Sequence, residues 1–165
     1  MIKKRTAFEY IIYTAVIAIG VGLDQLTKLL AVLYLSPITT LPIIKDVIHL
    51  TYVENRGAAF GMLADQRWIF ITVSTVAITV MLLYLYLGHA ENMLMAISLS
   101  MIISGGIGNM IDRLALGYVV DFIDFRLINF AVFNGADSFV CVGAGLLLLS
   151  IILPEIKNRR ARDKK

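Results

Sequence analysis

Four long apolar stretches divide the chain, and the charged residues concentrate between and beyond them. A helix rises 1.5 Å per residue, so about 20 apolar residues cross the roughly 30 Å hydrocarbon core of a bilayer. The two central stretches, 68–87 and 93–111, contain no charged residue, and the short link between them allows only an antiparallel helical hairpin. The pattern predicts a mainly α-helical integral membrane protein, a single domain over residues 1–165 with four spans at about 10–30, 68–87, 93–111 and 134–153.

The first and the last span each take in a carboxylate. The apolar run of the first span ends at Leu23, so a helix of full length includes Asp24. Counting about 20 residues back from Leu153, which precedes the helix-stopping Pro154, places Asp137 in the first turn of the last span. Two carboxylates are therefore predicted at membrane depth.

A small β-rich segment is predicted between the first two spans. Residues 47–53 read Val-Ile-His-Leu-Thr-Tyr-Val, a β-branched and aromatic run bounded by turn formers. This run is the only β signal that the sequence pattern provides. The connection that holds it, 36–67, and the later connection 112–133 are both predicted to be extracytoplasmic, where an open sheet edge is tolerated.

The composition supports a bilayer environment. Hydrophobic residues make up 59% of the chain and charged residues 16%, whereas about 25% of a typical soluble domain is charged. This balance argues against a small soluble domain. Cys141 is the sole cysteine, so an intramolecular disulfide is excluded.

The distribution of lysine and arginine predicts the orientation, because these residues are retained on the cytoplasmic side. Nine of them lie in the two terminal segments, including the basic tail 155–165, and five lie in or at the margins of the outer connections. Both termini are therefore expected in the cytoplasm, and topology explains the tail without a nucleic-acid partner. A cleaved signal peptide over residues 1–23 is less favoured, since no small-x-small cleavage signal follows.

Polar residues of different spans fall at one depth. Asp24 lies 14 residues, about 21 Å, from the cytoplasmic start of the first span, and Asp137 lies 16 residues, about 24 Å, from the cytoplasmic end of the last. Further polar residues stand at the outward end of the third span and just beyond it: Asn109, Asp112, Arg113 and Asp121. Carboxylates at such depth are costly and usually mark a pathway or a reaction site.

The third and the last span each have a face of small or polar residues. In the third span, Gly105 and Asn109 share one face and allow another helix to approach closely. In the last span, Asp137, Cys141 and Ala144 form a similar face. Packing of these two faces would bring the carboxylates together.

Asp121 and Asp137 are the strongest candidates for chemistry. Adjacent carboxylates in a poorly solvated site cannot both ionise, so one keeps a proton while the other stays charged. The charged one can take a proton from water as it attacks a peptide carbonyl, and the other can donate to the carbonyl oxygen. The structural alternatives are an ion pair between Asp112 and Arg113 and stabilisation of Asp137 by the helix dipole.

The remaining residues predict neither a metal site nor a cofactor. His49 and His89 are expected at the surface on opposite sides of the membrane, and Cys141 lies without a nearby His, which is typical of helix packing. Two other functions stay open. A small proton-coupled transporter would need carboxylates distributed across the bilayer, and a non-enzymatic membrane scaffold would tolerate replacement of both aspartates.

Five blocks in order resemble bacterial lipoprotein signal peptidase (signal peptidase II) over nearly the full chain. The blocks are Asp24-Gln25-x-x-Lys28, Glu54-Asn55-Arg56-Gly57-Ala58-Ala59-Phe60-Gly61, Gly105-Gly106-x-Gly108-Asn109-x-x-Asp112-Arg113, Val119-Val120-Asp121-Phe122 and Phe133-Asn134-x-Ala136-Asp137. The resemblance implies an aspartic endopeptidase of the bacterial cytoplasmic membrane with its active site near the outer leaflet. Its substrates would be prolipoproteins, cleaved before a diacylglyceryl-modified cysteine.

The resemblance also implies roles for particular residues. Asp121 and Asp137 would be the catalytic pair. The residues that would bind substrate or support this pair are Asn55, Asn109, Arg113, Asn134, Asp24, Asp112, Gly57 and Ala136. Membrane lipids and globomycin-type peptide inhibitors are the further partners implied. The segment 114–130 mixes apolar and polar residues, and from this composition it is expected to lie along the interface and gate access to the site.

Overall fold

Four long helices and one small sheet form the part of the chain that the computed structural model describes, residues 5–57 and 66–162. The helices are α1 (Ala7–Tyr34), α2 (Arg67–Tyr86), α3 (Met93–Ala115) and α4 (Gly135–Arg162). Each contains a stretch that is long and apolar enough to cross a membrane. The predicted mainly helical membrane fold with four spanning helices is confirmed.

Helix α1 extends beyond the predicted first span at both ends. At its start, the Thr6 hydroxyl accepts from the Glu9 N–H at 3.2 Å, while the Glu9 carboxylate accepts from the Thr6 N–H at 2.8 Å. This reciprocal capping box fixes the first turn outside the apolar run. At its far end, Ala31 and Leu35 pack against Val120 of the sheet, so the sheet holds the last turns of the helix.

Helix α4 does not end before Pro154, contrary to the expectation from sequence. A proline lacks the N–H that would donate to the carbonyl four residues earlier, which here belongs to Ser150. The Asn92 side chain donates to that carbonyl at 3.3 Å, so the missing donor is replaced from another helix. The helix therefore continues to Arg162.

Helix α3 is the central helix, and α1, α2 and α4 all pack on it. Gly105 lies so close to the Ala136 carbonyl of α4 that no side chain fits between them, and Gly143 of α4 meets the Ser98 carbonyl in the same way. The prediction of a close approach at Gly105 is correct, but the predicted face of α4 is wrong. Cys141 and Ala144 are exposed, because the side of α4 that meets α3 is one helical step away.

The sheet has three antiparallel strands in the order β1 (Thr40–Ile44), β2 (Ile48–Asn55) and β3 (Val119–Phe125). The predicted β segment, 47–53, overlaps β2 over residues 48–53. Strand β3 is a correction, because the segment 114–130 was expected at the interface without β structure. Both faces of β3 are buried, because Asp121 faces the cleft between the helices and Val120 faces α1. The alternation of polar and apolar residues that marks a strand with one face in solvent is therefore absent from its sequence.

His49 is buried in the sheet, so its expected surface position is wrong. Its Nε2 accepts the backbone N–H of Asp46 at 3.3 Å. Asp46 adopts a left-handed conformation with φ of 60° in the turn between β1 and β2, and the imidazole satisfies its otherwise unpaired donor. His89 is exposed, as predicted.

Candidate active site

A cavity of about 630 Å³ opens between α2, α3, α4 and the sheet, and both candidate aspartates line it. Asp121 comes from β3, and Asp137 comes from the first turn of α4. The chain between them is short, because β3 leads through one 3₁₀ turn, Arg126–Ile128, to the start of α4. The structure thus brings together two carboxylates that lie on different elements.

Asp121 is held in a nearly water-free position, with 1% of its surface exposed. One carboxylate oxygen accepts from Asn55 Nδ2 at 2.9 Å, and the other accepts from Asn134 Nδ2 at 2.7 Å. Burial raises the pKa of Asp121 to about 7, although the hydrogen bond from Asn55 lowers it, and the negative charge of Asp137 raises it further. Asp121 is therefore suited to holding a proton near neutral pH.

Asp137 is fixed by a capping box at the start of α4. Its carboxylate accepts the Asn134 backbone N–H at 3.3 Å, while its own N–H donates to Asn134 Oδ1 at 2.9 Å. Its other oxygen accepts from Asn109 Nδ2 at 2.7 Å. The first-turn position predicted as a structural alternative is thus present, and the same carboxylate also faces the cavity. Asn134 contacts both aspartates, so it sets their relative position.

Lys28 lies behind the site and is the important residue to which sequence reasoning gave no role. Its ammonium is 2.9 Å from Asp24 Oδ2 and 2.9 Å from Asp112 Oδ2, and it donates to Asn109 Oδ1 at 2.8 Å. Asp112 therefore pairs with Lys28 of α1, and not with Arg113, the ion pair considered as a structural alternative. The i, i+4 spacing of Asp24 and Lys28 was a usable signal for part of this cluster.

The ammonium also determines how the Asn109 amide is turned. Lys28 can only donate, so it must face the amide oxygen, and the amide nitrogen is then directed to Asp137. Asn134 donates to the same Asn109 oxygen at 3.0 Å. A continuous set of hydrogen bonds therefore joins the buried cluster to both aspartates.

Asp24, Asp112 and Ala136 support the site from outside the cavity. Asp24 accepts the Ala136 N–H at 2.7 Å, which ties the start of α4 to α1. Asp112 accepts the Val120 N–H at 3.1 Å, which ties β3 to α3. These residues join the elements that carry the two aspartates, whereas Asn55, Gly57, Asn109 and Arg113 line the cavity itself.

Arg113 provides the positive charge at the cavity wall. Its guanidinium donates to the Gly57 carbonyl at 3.2 Å and lies 4.8 Å from the centre of the Phe70 ring. Gly57 in turn donates its N–H to Asn55 Oδ1 at 3.0 Å. Cys141 also lines the cavity and is exposed there, so its predicted role in helix packing is wrong. The block residues Ala58, Ala59, Phe60 and Gly61 lie outside the described residues.

Comparison with known proteins identifies the family. The family model for signal peptidase (SPase) II matches residues 16–153. The chain belongs to the signal peptidase II family. A lipoprotein signal peptidase of Caldanaerobacter subterraneus subsp. tengcongensis is 54% identical over 132 residues, which cover 80% of this chain and 90% of that protein. One of Clostridioides difficile strain 630 is 47% identical over 148 residues, covering 90% and 99%.

Solved structures agree with this membership of the signal peptidase II family. A bacterial membrane enzyme determined by the in meso method at 1.9 Å resolution has a TM-score of 0.78 and 27% sequence identity, covering 92% of this chain and 97% of that one. A second, determined at 2.3 Å, has a TM-score of 0.77 and 28% identity over 92% of each chain. The protein is therefore a peptidase with four membrane-spanning helices.

Proposed function

We propose that this peptidase removes signal peptides from diacylglyceryl-modified prolipoproteins, cleaving before the lipidated cysteine with Asp121 and Asp137 as its catalytic pair. The observation that carries the proposal is the placement of both carboxylates on one cavity, each bonded to Asn134. The family and the names of the relatives support the substrate class. The proposed reaction uses water and the two aspartates and involves no cofactor.

In the proposed reaction, Asp121 is the acid and Asp137 is the base. Asp137 accepts a proton from a water molecule as the water oxygen attacks the scissile carbonyl carbon, and Asp121 donates its proton to the carbonyl oxygen. The resulting tetrahedral intermediate breaks its carbon–nitrogen bond as the amine nitrogen takes the proton from Asp137. Asp121 recovers its own proton as the carbonyl re-forms. Burial of Asp121 and the N–H donors around Asp137 support this assignment.

The walls of the cavity suit a lipidated peptide. Phe70, Val119, Phe133 and Val142 give it apolar sides next to the membrane helices, where acyl chains gain about 0.8 kcal/mol for each CH₂ kept from water. Arg113 presents a planar donor at the same cavity and would hold peptide or ester carbonyl oxygens. By family resemblance, a globomycin-type peptide would occupy this space in place of the substrate.

The proposed orientation places both termini in the cytoplasm and the cavity near the outer leaflet of a bacterial cytoplasmic membrane. The excess of lysine and arginine in the terminal segments supports this orientation. A prolipoprotein also has its cleavage site at the outer end of its own signal helix, so the catalytic groups must be at that depth.

The family favours the peptidase over a transporter or a scaffold. Among the described residues of the spans, charged side chains lie at the two ends of the helix bundle, with Asp24, Lys28 and Asp112 at the cavity end and Arg5 and Glu9 at the other. A relay of carboxylates through the middle of the bundle is missing from this part of the chain. A proton-coupled transport path would require one.

The test is cleavage of a diacylglyceryl-modified prolipoprotein by the purified protein in detergent. Asp121→Asn and Asp137→Asn are each expected to lower kcat at least about 100-fold, the lower range for loss of a general acid or base. Asp124→Asn is the matched control, because Asp124 lies on β3 but binds Thr51 and Arg126 away from the cavity. Near-normal turnover of either catalytic variant would refute the assignment.

A further inference from the structure

A second apolar cavity lies along the same helices as the proposed active site. Helices α2 and α4 both pack on α3. Toward the end of the bundle away from the aspartates, residues of these three helices line a cavity of about 290 Å³. Its described lining includes Val80, Met81 and Tyr84 from α2, Leu99 from α3, and Leu147 and Ile151 from α4.

The same three helices, α2, α3 and α4, line both cavities. On α4, Asp137 and Cys141 line the active-site cavity, and Ile151 lines the second one. On α2, Phe70 lines the first and Val80 the second. Asp137 and Ile151 are separated by 14 residues of one helix, which is about 21 Å. We call the surface of α2, α3 and α4 that runs from one cavity to the other the α2–α4 groove.

We propose that the α2–α4 groove binds the apolar helix of the substrate's signal peptide, an inference that rests on the proposed function. The apolar core of a signal peptide has 7–15 residues, or about 10–22 Å as a helix, and the groove is of that length. The cleavage site follows this core in sequence. A helix seated with its C-terminal end toward Asp137 therefore delivers the scissile bond to both aspartates.

The walls of the groove favour such a helix over a polar one. The residues that line its inner cavity are hydrophobic apart from the hydroxyl of Tyr84, so an apolar helix loses no hydrogen bonds to water there, while a charged one would be left unpaired. The signal helix would run antiparallel to α2 and α4, because both of these begin at the active-site end. Antiparallel neighbours also have favourably arranged helix dipoles.

The first test compares two tryptophan variants on two substrates. Ile151→Trp fills the groove, whereas Leu153→Trp is its matched control. The two side chains are similarly exposed, at 55% and 53%, but lie about 200° apart around α4. The substrates are a full prolipoprotein and a lipopeptide that contains only the residues around the cleavage site, without the apolar core.

Ile151→Trp is expected to lower kcat/KM for the full prolipoprotein about tenfold, mainly through KM, because packing in the groove is lost. Its kcat/KM for the short lipopeptide is expected to change less than about twofold. Leu153→Trp is expected to change kcat/KM for either substrate by less than about twofold. Equal losses on both substrates, or no loss on the prolipoprotein, would overturn the inference. If the unmodified protein cleaves neither substrate, the proposed function fails, and this inference fails with it.

The second test locates the bound helix directly and does not depend on turnover. A photoreactive benzoylphenylalanine is placed at Ile151 or at Leu153 in the Asp137→Asn variant, which is then illuminated with the prolipoprotein in lipid nanodiscs. Cross-links to the apolar core of the signal peptide are expected from position 151 and not from position 153. Adducts with lipid alone from both positions would show that lipid fills the groove, and would refute the inference.

Discussion

Replacing Lys28 by methionine is expected to remove the charge that allows two carboxylates to be buried together. Only 3% of the Lys28 surface is exposed, and Asp24 and Asp112 are no more exposed than that. Methionine is close to lysine in shape, so the packing is retained while the ammonium is lost. The variant therefore isolates the charge.

The expected loss of unfolding free energy depends on the hydrogen-bond donors that Asp24 and Asp112 retain without Lys28. Breaking a buried ion pair from one side typically costs 3–5 kcal/mol of unfolding free energy. Asp24 keeps the Ala136 N–H and Asp112 keeps the Val120 N–H as donors, so we expect the lower end, about 3 kcal/mol. For a protein of this size, that corresponds to a fall in Tm of about 6–12 °C.

The assay is thermal unfolding of the purified protein in detergent, followed by circular dichroism. Arg159→Gln provides the control, because it breaks an exposed i, i+4 pair with Glu155, which is worth about 0.3–0.5 kcal/mol at most. A second variant, Lys28→Met with Asp112→Asn, is expected to recover part of the lost Tm, since one uncompensated charge is removed. A single-variant Tm within about 2 °C of the control would refute the argument that Lys28 compensates buried charge.

Three further predictions concern the cavity and the helix contacts. Asn55→Ala removes a hydrogen bond that lowers the pKa of Asp121. In the unmodified protein, kcat/KM is expected to decline above pH about 7 as Asp121 loses its proton, and in the variant this decline should move to higher pH. A shift to lower pH would contradict the role of Asp121 as the acid. Gly105→Ala should destabilise the fold by about 1–3 kcal/mol through overlap with α4, whereas Gly145→Ala, with open space around it, should raise Tm slightly; equal Tm values would contradict this. A globomycin-type peptide should slow maleimide labelling of Cys141 about tenfold by filling the cavity, and unchanged labelling would place the inhibitor elsewhere.

The spanning helices were predictable because hydropathy is a property of each segment by itself. A run such as 68–87 must be helical in a bilayer, whatever surrounds it. The convergence of the carboxylates was also predictable, because the number of residues from the end of a helix gives the depth of each side chain in the membrane. The first-turn position of Asp137 was predicted on the same basis, whereas its capping box with Asn134 was not.

Features that depend on a partner from elsewhere in the chain were not predictable in this way. Helix α4 passes Pro154 because Asn92 supplies a donor to the Ser150 carbonyl, and no local pattern indicates such a bond. Strand β3 was missed because its two buried faces conceal the usual alternation. The role of Lys28 depends on its meeting Asp112 of a different helix, a contact that spacing along α1 could not indicate.

The Asp137 carboxylate has two roles, because it belongs to the capping box at the start of α4 as well as to the proposed active site. Asp137 holds the Asn134 N–H and is also the proposed base. In many enzymes, replacing an active-site residue increases the stability of the fold, because the position that the reaction requires is unfavourable for folding. A replacement without an acceptor, such as Asp137→Ala, would also remove a cap of α4, so loss of the carboxylate is not expected to make this protein more stable.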